Sequence, residues 1–99
     1  MRREMDLREC RQEIDRIDGE LVKLLEERMD VVREVAEYKR ASGGPVYDPA
    51  REEEKLAVIR EAASDDFCRE ALPKIFSQIM ACSRELQYSL IPGTDRTDT

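Results

Sequence analysis

Apolar residues recur at every third or fourth position along the first forty residues of the chain. The apolar stripe consists of Leu7, Cys10, Ile14, Ile17, Leu21, Leu24, Val31, Val35 and Tyr38. This spacing is typical of one face of an α-helix. The stretch contains no proline and only one glycine, Gly19, so the pattern predicts a helix over about residues 6–42.

A helix of this length has no partner within the chain that is long enough to cover it. At 1.5 Å per residue it would extend for roughly 55 Å, which is well beyond the diameter of about 30 Å of a small globular domain such as 99 residues form. The remaining residues are too few to bury an apolar face of that length. We therefore expect a homodimer in which the long helices of two chains pack together.

Two shorter helices are predicted after the Gly-Gly-Pro turn at residues 43–45. Asp48 followed by Pro49 is typical of an N-cap and a first helical residue, which predicts a second helix over about residues 49–63. The polar cluster at residues 64–66 is expected to end that helix.

A third helix is predicted over about residues 69–90, with Pro73 near its beginning because proline is tolerated there. Residues 91–99 are polar, contain a Pro-Gly pair, and are expected to form a disordered tail or linker stub. The pattern thus predicts an all-α fold with three helices, one of them very long, in a single domain over residues 1–90.

Composition restricts the chemistry that this chain can perform. Charged residues make up 40% of it, the net charge is −6, and there is no histidine. An acidic protein is poorly suited to nucleic acid or to an anionic membrane surface. Without histidine, the usual general base and the commonest metal ligand are absent, which excludes Ser/His/Asp and Cys/His catalysis.

The three cysteines indicate a reducing compartment. Cys10, Cys68 and Cys82 are odd in number and lack the spacing of metal or redox motifs. We interpret them as reduced thiols of a cytoplasmic protein. No apolar run approaches the roughly 20 residues of a membrane span, and the N-terminal residues lack the apolar segment of a secretory signal.

A cation interrupts the apolar stripe at Arg28, where the spacing after Leu24 predicts an apolar residue. Burial of this charge is costly unless an anion meets it, either another side chain or a ligand. Lys39 lies eleven residues further on, within roughly 20° of the same helix face. Taken alone, Arg28 is more simply a register device or half of an ion pair, and Lys39 complements the helix dipole.

Polar residues also fall on the inward faces of the two shorter helices. Glu52 begins the inner face of the second helix, and Ser83 and Gln87 interrupt the apolar face of the third. Each alone has a structural explanation, because Glu52 favours the helix dipole, Ser83 can bond to its own helix and Gln87 can be solvated. Their coincidence with Arg28 and Lys39 predicts a polar pocket inside a helical bundle.

Arg11 belongs to a different part of the long helix. It lies seventeen residues before Arg28, roughly 25 Å away along the helix axis and about 100° around it. One helix cannot direct both side chains at one small ligand, but an antiparallel partner chain can supply Arg11 to the pocket. The structural alternative is a surface ion pair between Arg11 and Asp15.

The spacing of these residues resembles that of the all-helical class of chorismate mutase over roughly residues 7–87. The residues that carry the resemblance include Arg11, Asp15, Asp18, Glu27, Arg28, Lys39, the run Asp48-Pro49-Ala50-Arg51-Glu52, Ser83 and Gln87. The resemblance implies an intertwined three-helix homodimer with two active sites, each completed by an arginine of the partner chain. It also implies catalysis without a metal, a cofactor or a covalent intermediate, which suits a chain without histidine.

The substrate implied by the resemblance is chorismate, a dianion that rearranges to prephenate in a concerted pericyclic step of phenylalanine and tyrosine biosynthesis. By similarity, Arg28 and Arg11 from across the dimer would bind the substrate carboxylates. Arg51 and Ser83 would support that binding.

The resemblance also assigns groups to the reacting atoms. Lys39 and Gln87 would donate hydrogen bonds to the ether oxygen, where negative charge develops as the bond breaks. Glu52 would accept a hydrogen bond from the ring hydroxyl, aided by the backbone at Asp48. The resemblance thus makes Lys39, Gln87, Glu52 and Arg28 the catalytic residues.

Two other functions remain open. Isochorismate pyruvate lyase shares the fold, but its pattern lacks an acidic residue after the arginine of the second helix, so Arg51-Glu52 favours the mutase. A non-catalytic dimerisation module, with Arg28 paired to Glu52, leaves the convergence of the other polar residues unexplained. Mutases of this class are often fused to other enzymes of the pathway, so the pattern does not decide whether the chain acts alone.

Overall fold

A computed structural model describes residues 4–93 of the chain. Three helices follow in order, namely α1 (Leu7–Ser42), α2 (Pro49–Ala62) and α3 (Asp66–Leu90), and no strand occurs within residues 4–93. The prediction of an all-α class with one long and two shorter helices is therefore confirmed. Of the predicted disordered tail, residues 91–93 form a bend and turn directly after α3, and residues 94–99 lie outside the described range.

Local hydrogen bonds set both ends of α1. At its start, the Asp6 carboxylate accepts from the Glu9 N–H at 2.8 Å, and the Glu9 carboxylate accepts from the Asp6 N–H at 3.3 Å, which is a reciprocal capping box. At its end, Gly43 adopts a φ of 78° and its N–H donates to the Lys39 carbonyl at 2.7 Å. Glycine reaches this left-handed conformation without the steric cost of other residues, so α1 ends before Gly43.

An aspartate sets the start of α3. The Asp65 carboxylate accepts from the Cys68 N–H at 2.7 Å, and α3 begins at Asp66, three residues before the expected start. The same hydrogen bond holds the pKa of Asp65 below its ordinary value. Pro73 consequently lies inside the helix. The polar cluster at residues 64–66, which follows the end of α2, thus also contains the N-cap of α3.

The chain divides into two compact units within α1, the first ending at Val31 and the second beginning at Val32. In the first unit the apolar stripe is open to solvent. Exposed fractions between 49% and 64% are found at Leu7, Ile14, Leu21, Leu24 and Val31. No helix in the described range is both long and apolar enough to cross a membrane. An apolar face of this extent on a helix of an acidic, highly charged chain is typical of a protein interface.

In the second unit, α2 packs against α3. The buried apolar residues are Ala36, Val46, Ile59, Ala63 and Met80. Two polar residues of α3, Ser83 and Gln87, are buried as well, with exposed fractions of only 6% and 7%. The interior of this unit is therefore small and partly polar, as the inward positions of Ser83 and Gln87 predicted.

Two glycine-to-alanine substitutions are expected to change stability in opposite directions. Gly43→Ala forces a side chain into the left-handed region and should lower the free energy of unfolding by about 1 kcal/mol. Gly19→Ala lies inside α1 and should raise it by about 1 kcal/mol through helix propensity. A methyl group at either position contacts nothing within 4 Å, so both effects come from the backbone. Urea unfolding at one protein concentration measures both free energies of unfolding, and changes of the same sign in the two variants would contradict the prediction.

Candidate functional site

Six of the eight predicted site residues lie in the second unit. They are Lys39 at the end of α1, Asp48 before α2, Arg51 and Glu52 in its first turn, and Ser83 and Gln87 in α3. The other two predicted residues lie in the first unit, where Arg11 is exposed and Arg28 is half-buried.

Lys39 is held by the loop that follows its helix. Its ammonium group donates to the Val46 carbonyl at 2.9 Å. Partial burial lowers the pKa of Lys39, and the nearby carboxylates of Asp48 and Glu52 offset part of that effect. The ammonium has three donors, so the bond to Val46 leaves two for other acceptors. The ammonium is thus bonded to a loop carbonyl rather than to the last carbonyls of α1.

The two buried polar side chains of α3 differ in how they are hydrogen-bonded. The Ser83 hydroxyl donates to the Ile79 carbonyl at 3.0 Å, which is the back-bonding that the sequence left open as a structural alternative. The Gln87 amide donates to the Ser83 carbonyl at 3.4 Å, a long hydrogen bond. The Gln87 Oε1 atom is buried and has no hydrogen-bond partner among the described residues. Buried amide oxygens are rarely left in this state, so this acceptor is available to a hydrogen-bond donor.

Asp48 and Arg51 stand at the start of α2. The Asp48 carboxylate caps the helix by accepting from the Arg51 N–H at 3.1 Å, and Pro49 occupies the first helical position. The Arg51 guanidinium is exposed and contacts Glu54 loosely, at 3.9 Å. Such a surface contact contributes little to stability, so the Arg51 side chain can turn at small cost.

Glu52 has a partner, Arg84, that the sequence pattern does not indicate. Arg84 Nη1 donates to both oxygens of the Glu52 carboxylate at 2.5 Å. This hydrogen bond is the main reason that the pKa of Arg84 is raised. The guanidinium also lies over the ring of Tyr47, 4.9 Å from its centre. In the sequence, Arg84 is marked only by its position next to Ser83. That position does not predict a site residue, because a charged residue beside an inward position ordinarily faces solvent.

The second unit thus gathers two cations, Lys39 and Arg84, around the carboxylates of Asp48 and Glu52. The buried amide of Gln87 lies one helical turn after Ser83, the residue that precedes Arg84. Within the described residues, no group of aspartate, glutamate or cysteine side chains is arranged to hold a metal ion. The arrangement offers hydrogen-bond donors and charges, which suits the binding and polarisation of a polar small molecule.

Comparison with known proteins indicates the family of this chain. Residues 10–88 match the model of the family described as chorismate mutase type II. The chain is 34% identical over 89 residues to "Chorismate mutase" of Methanocaldococcus jannaschii, a match that covers 89% of this chain and 90% of that protein. It is 35% identical over 89 residues to "Bifunctional chorismate mutase/prephenate dehydratase" of Aquifex aeolicus, covering 86% of this chain. The chain spans about a quarter of that bifunctional protein, 25% of its length.

Solved structures agree with the family match. The chorismate mutase (Form II) from Thermus thermophilus superposes with a TM-score of 0.79 at 33% identity, covering 94% of this chain and 98% of that one. The chorismate mutase from Helicobacter pylori, solved in complex with prephenate, gives a TM-score of 0.77 at 28% identity, covering 90% and 97%. The chain therefore belongs to the chorismate mutase type II family.

Proposed function

We propose that this protein is a chorismate mutase, an isomerase that converts chorismate into prephenate in phenylalanine and tyrosine biosynthesis. The observation that carries the proposal is the Lys39 ammonium, which is partly buried, held by the Val46 carbonyl and close to two carboxylates. Family membership supports it, as does the relative from Helicobacter pylori that binds prephenate. The rearrangement needs no nucleophile or proton transfer, so donors placed around the reacting atoms suffice.

In the proposed reaction, the enzyme holds chorismate in its compact conformation and stabilises the charge that develops on the ether oxygen. Lys39 donates to this oxygen with one of its two remaining N–H groups. The Gln87 amide supplies a second donor, because its existing bond to the Ser83 carbonyl is long and easily exchanged. Such donors act most strongly in the transition state, where the oxygen carries the most negative charge.

Arginines are proposed to bind the substrate carboxylates. Arg28 would bind one of them and the partner chain's Arg11 the other, since a guanidinium matches a carboxylate in a bidentate geometry. Arg51 is exposed and only loosely paired, so it can turn toward the ligand. Ser83 would support this binding from α3, once its hydroxyl leaves the Ile79 carbonyl.

A homodimer is proposed as the active form. The support is the apolar stripe of the first unit, where Leu7, Ile14, Leu21, Leu24 and Val31 are about half exposed or more. Covering the exposed half of each such side chain contributes about 1 kcal/mol, so a second copy that brings the same stripe stabilises the assembly through the sum over the stripe. In an isologous dimer of this kind, each chain would also supply its Arg11 to the site of its partner.

We further propose that the mutase domain comprises residues 1–90 and that the protein works in the cytoplasm. The three cysteines support this location, since Cys10, Cys68 and Cys82 are all free thiols in the structure.

The activity is tested by incubating the purified protein separately with chorismate and with isochorismate, and by identifying the products. We expect saturable formation of prephenate from chorismate. Release of pyruvate from isochorismate as the dominant reaction would instead support the lyase. No turnover of either compound by a folded helical dimer would support a non-catalytic module and contradict the proposal.

The pH dependence of kcat/KM follows from the environment of Lys39. Only the protonated amine carries the charge that stabilises the ether oxygen, so activity should be full below the Lys39 pKa and fall as pH rises through it. Because burial lowers that pKa, the fall should occur at lower pH than for an ordinary lysine. Residual activity of Lys39→Arg should show no such fall, since a guanidinium does not titrate in this range. A wild-type profile that stays flat to about pH 10 would contradict the assignment.

A further inference from the structure

Arg84 joins three separate segments of the second unit at one guanidinium group. It lies on α3, binds the carboxylate of Glu52 on α2, and stacks over Tyr47 in the loop between α1 and α2. The side chains of Arg84 and Glu52 are mostly shielded, with exposed fractions of 27% and 22%. Such a pair is screened less by solvent than an exposed ion pair, so its geometry is better defined.

The contact leaves Glu52 able to bind a further group. One nitrogen, Arg84 Nη1, lies 2.5 Å from both carboxylate oxygens. A carboxylate has about four lone-pair sites, so roughly two remain for other donors. Because the guanidinium is itself fixed by the Tyr47 ring, it restrains both the position of the Glu52 carboxylate and the direction of its remaining lone pairs.

We propose that Arg84 is a positioning residue that fixes Glu52 for recognition of the ring hydroxyl of the substrate. The inference rests on the proposed mutase function, in which Glu52 accepts a hydrogen bond from that hydroxyl. Arg84 does not touch the substrate in this proposal. It acts through Glu52 and determines how strongly the enzyme selects a substrate that carries the hydroxyl group.

The experiment compares chorismate with an analogue in which hydrogen replaces the ring hydroxyl. Arg84→Met keeps an unbranched side chain as far as the position of Nε and removes the guanidinium with its charge and donors. We expect it to lower kcat/KM for chorismate about tenfold, mainly through KM, as for a lost hydrogen bond to a charged group. The wild-type enzyme should disfavour the analogue by a similar factor, and Arg84→Met should leave kcat/KM for the analogue unchanged. Arg69→Met, which removes an exposed pair with Asp66 on the same helix, should affect neither substrate.

A double-mutant cycle with Glu52→Gln supplies a second readout. If Arg84 acts through Glu52, adding Arg84→Met to Glu52→Gln should change kcat/KM less than twofold. Independent, multiplicative losses would overturn the proposal. So would an equal loss of kcat/KM for chorismate and the analogue, or a wild-type enzyme that does not distinguish the two compounds.

The outcomes separate this proposal from the proposed function. A wild-type protein that forms no prephenate would overturn both. An active wild-type enzyme whose Arg84→Met variant matches it on both compounds would overturn only the role of Arg84. Should Arg84→Met be unfolded by circular dichroism, Arg84→Gln replaces it, because it keeps a polar side chain beside Tyr47 while losing the charge. The same loss of selectivity for the hydroxyl group is then expected, and a variant that keeps this selectivity would overturn the role of Arg84.

Discussion

Replacing Lys39 with alanine is expected to lower kcat by about 10³-fold or more while leaving a folded helical dimer. Loss of one neutral donor to a developing oxyanion costs about 10²–10³ in kcat, and Lys39 contributes a full charge as well. The ammonium is partly shielded from water, which strengthens its interaction with the ether oxygen. Steady-state kinetics with chorismate, beside circular dichroism, measure both parts of this prediction.

The control for Lys39→Ala is its neighbour on α1. Arg40 is exposed and pairs with Glu37 on the surface of the helix. Arg40→Ala removes a cation one residue away and should leave kcat within about twofold of wild type, since exposed ion pairs contribute little. If Lys39→Ala instead kept turnover within tenfold of wild type, Lys39 would not be the donor to the ether oxygen.

Arg28→Ala and Arg11→Ala are each expected to lower kcat/KM by about 10³-fold, because each removes a charged, bidentate contact to a substrate carboxylate. Arg16→Ala is the matched control on the same helix. Arg16 is exposed and pairs with Glu13 and Glu20 one turn away, so its loss should change kcat/KM little. Near-wild-type activity of Arg28→Ala would restore the view of Arg28 as a structural ion pair or register device.

The fold could be predicted largely because its signals are local. The spacing of the apolar stripe and the absence of proline predicted α1, and the Asp48-Pro49 pair predicted the start of α2. The start of α3 was expected three residues too late because Asp65 lies in a cluster that resembles a loop. Aspartate is common both in loops and at N-caps, and which role Asp65 takes depends on the backbone conformation, which the sequence of the cluster alone does not specify.

The candidate site could be predicted only in part, since its main contact is not local. Glu52 and Arg84 are 32 residues apart in sequence, and nothing in their spacing indicates that they bind each other. Likewise, helical periodicity predicted that Gln87 faces inward, but not that its Oε1 atom is buried without a partner among the described residues. Such contacts follow from how α2 and α3 pack, which the pattern of a single helix does not contain.

The most direct test of the shared active site is to mix the Arg11→Ala protein with isotope-labelled Arg28→Ala protein, refold them together, and measure mutase activity and the fraction of mixed dimers, which the label gives a distinct mass. In a mixed dimer, one site receives Arg28 from one chain and Arg11 from the other, and the second site lacks both. Random pairing makes half of the dimers mixed, so we predict recovery to about a quarter of wild-type activity from two nearly inactive parents. Mixed dimers that form but recover no activity would contradict a site built from both chains.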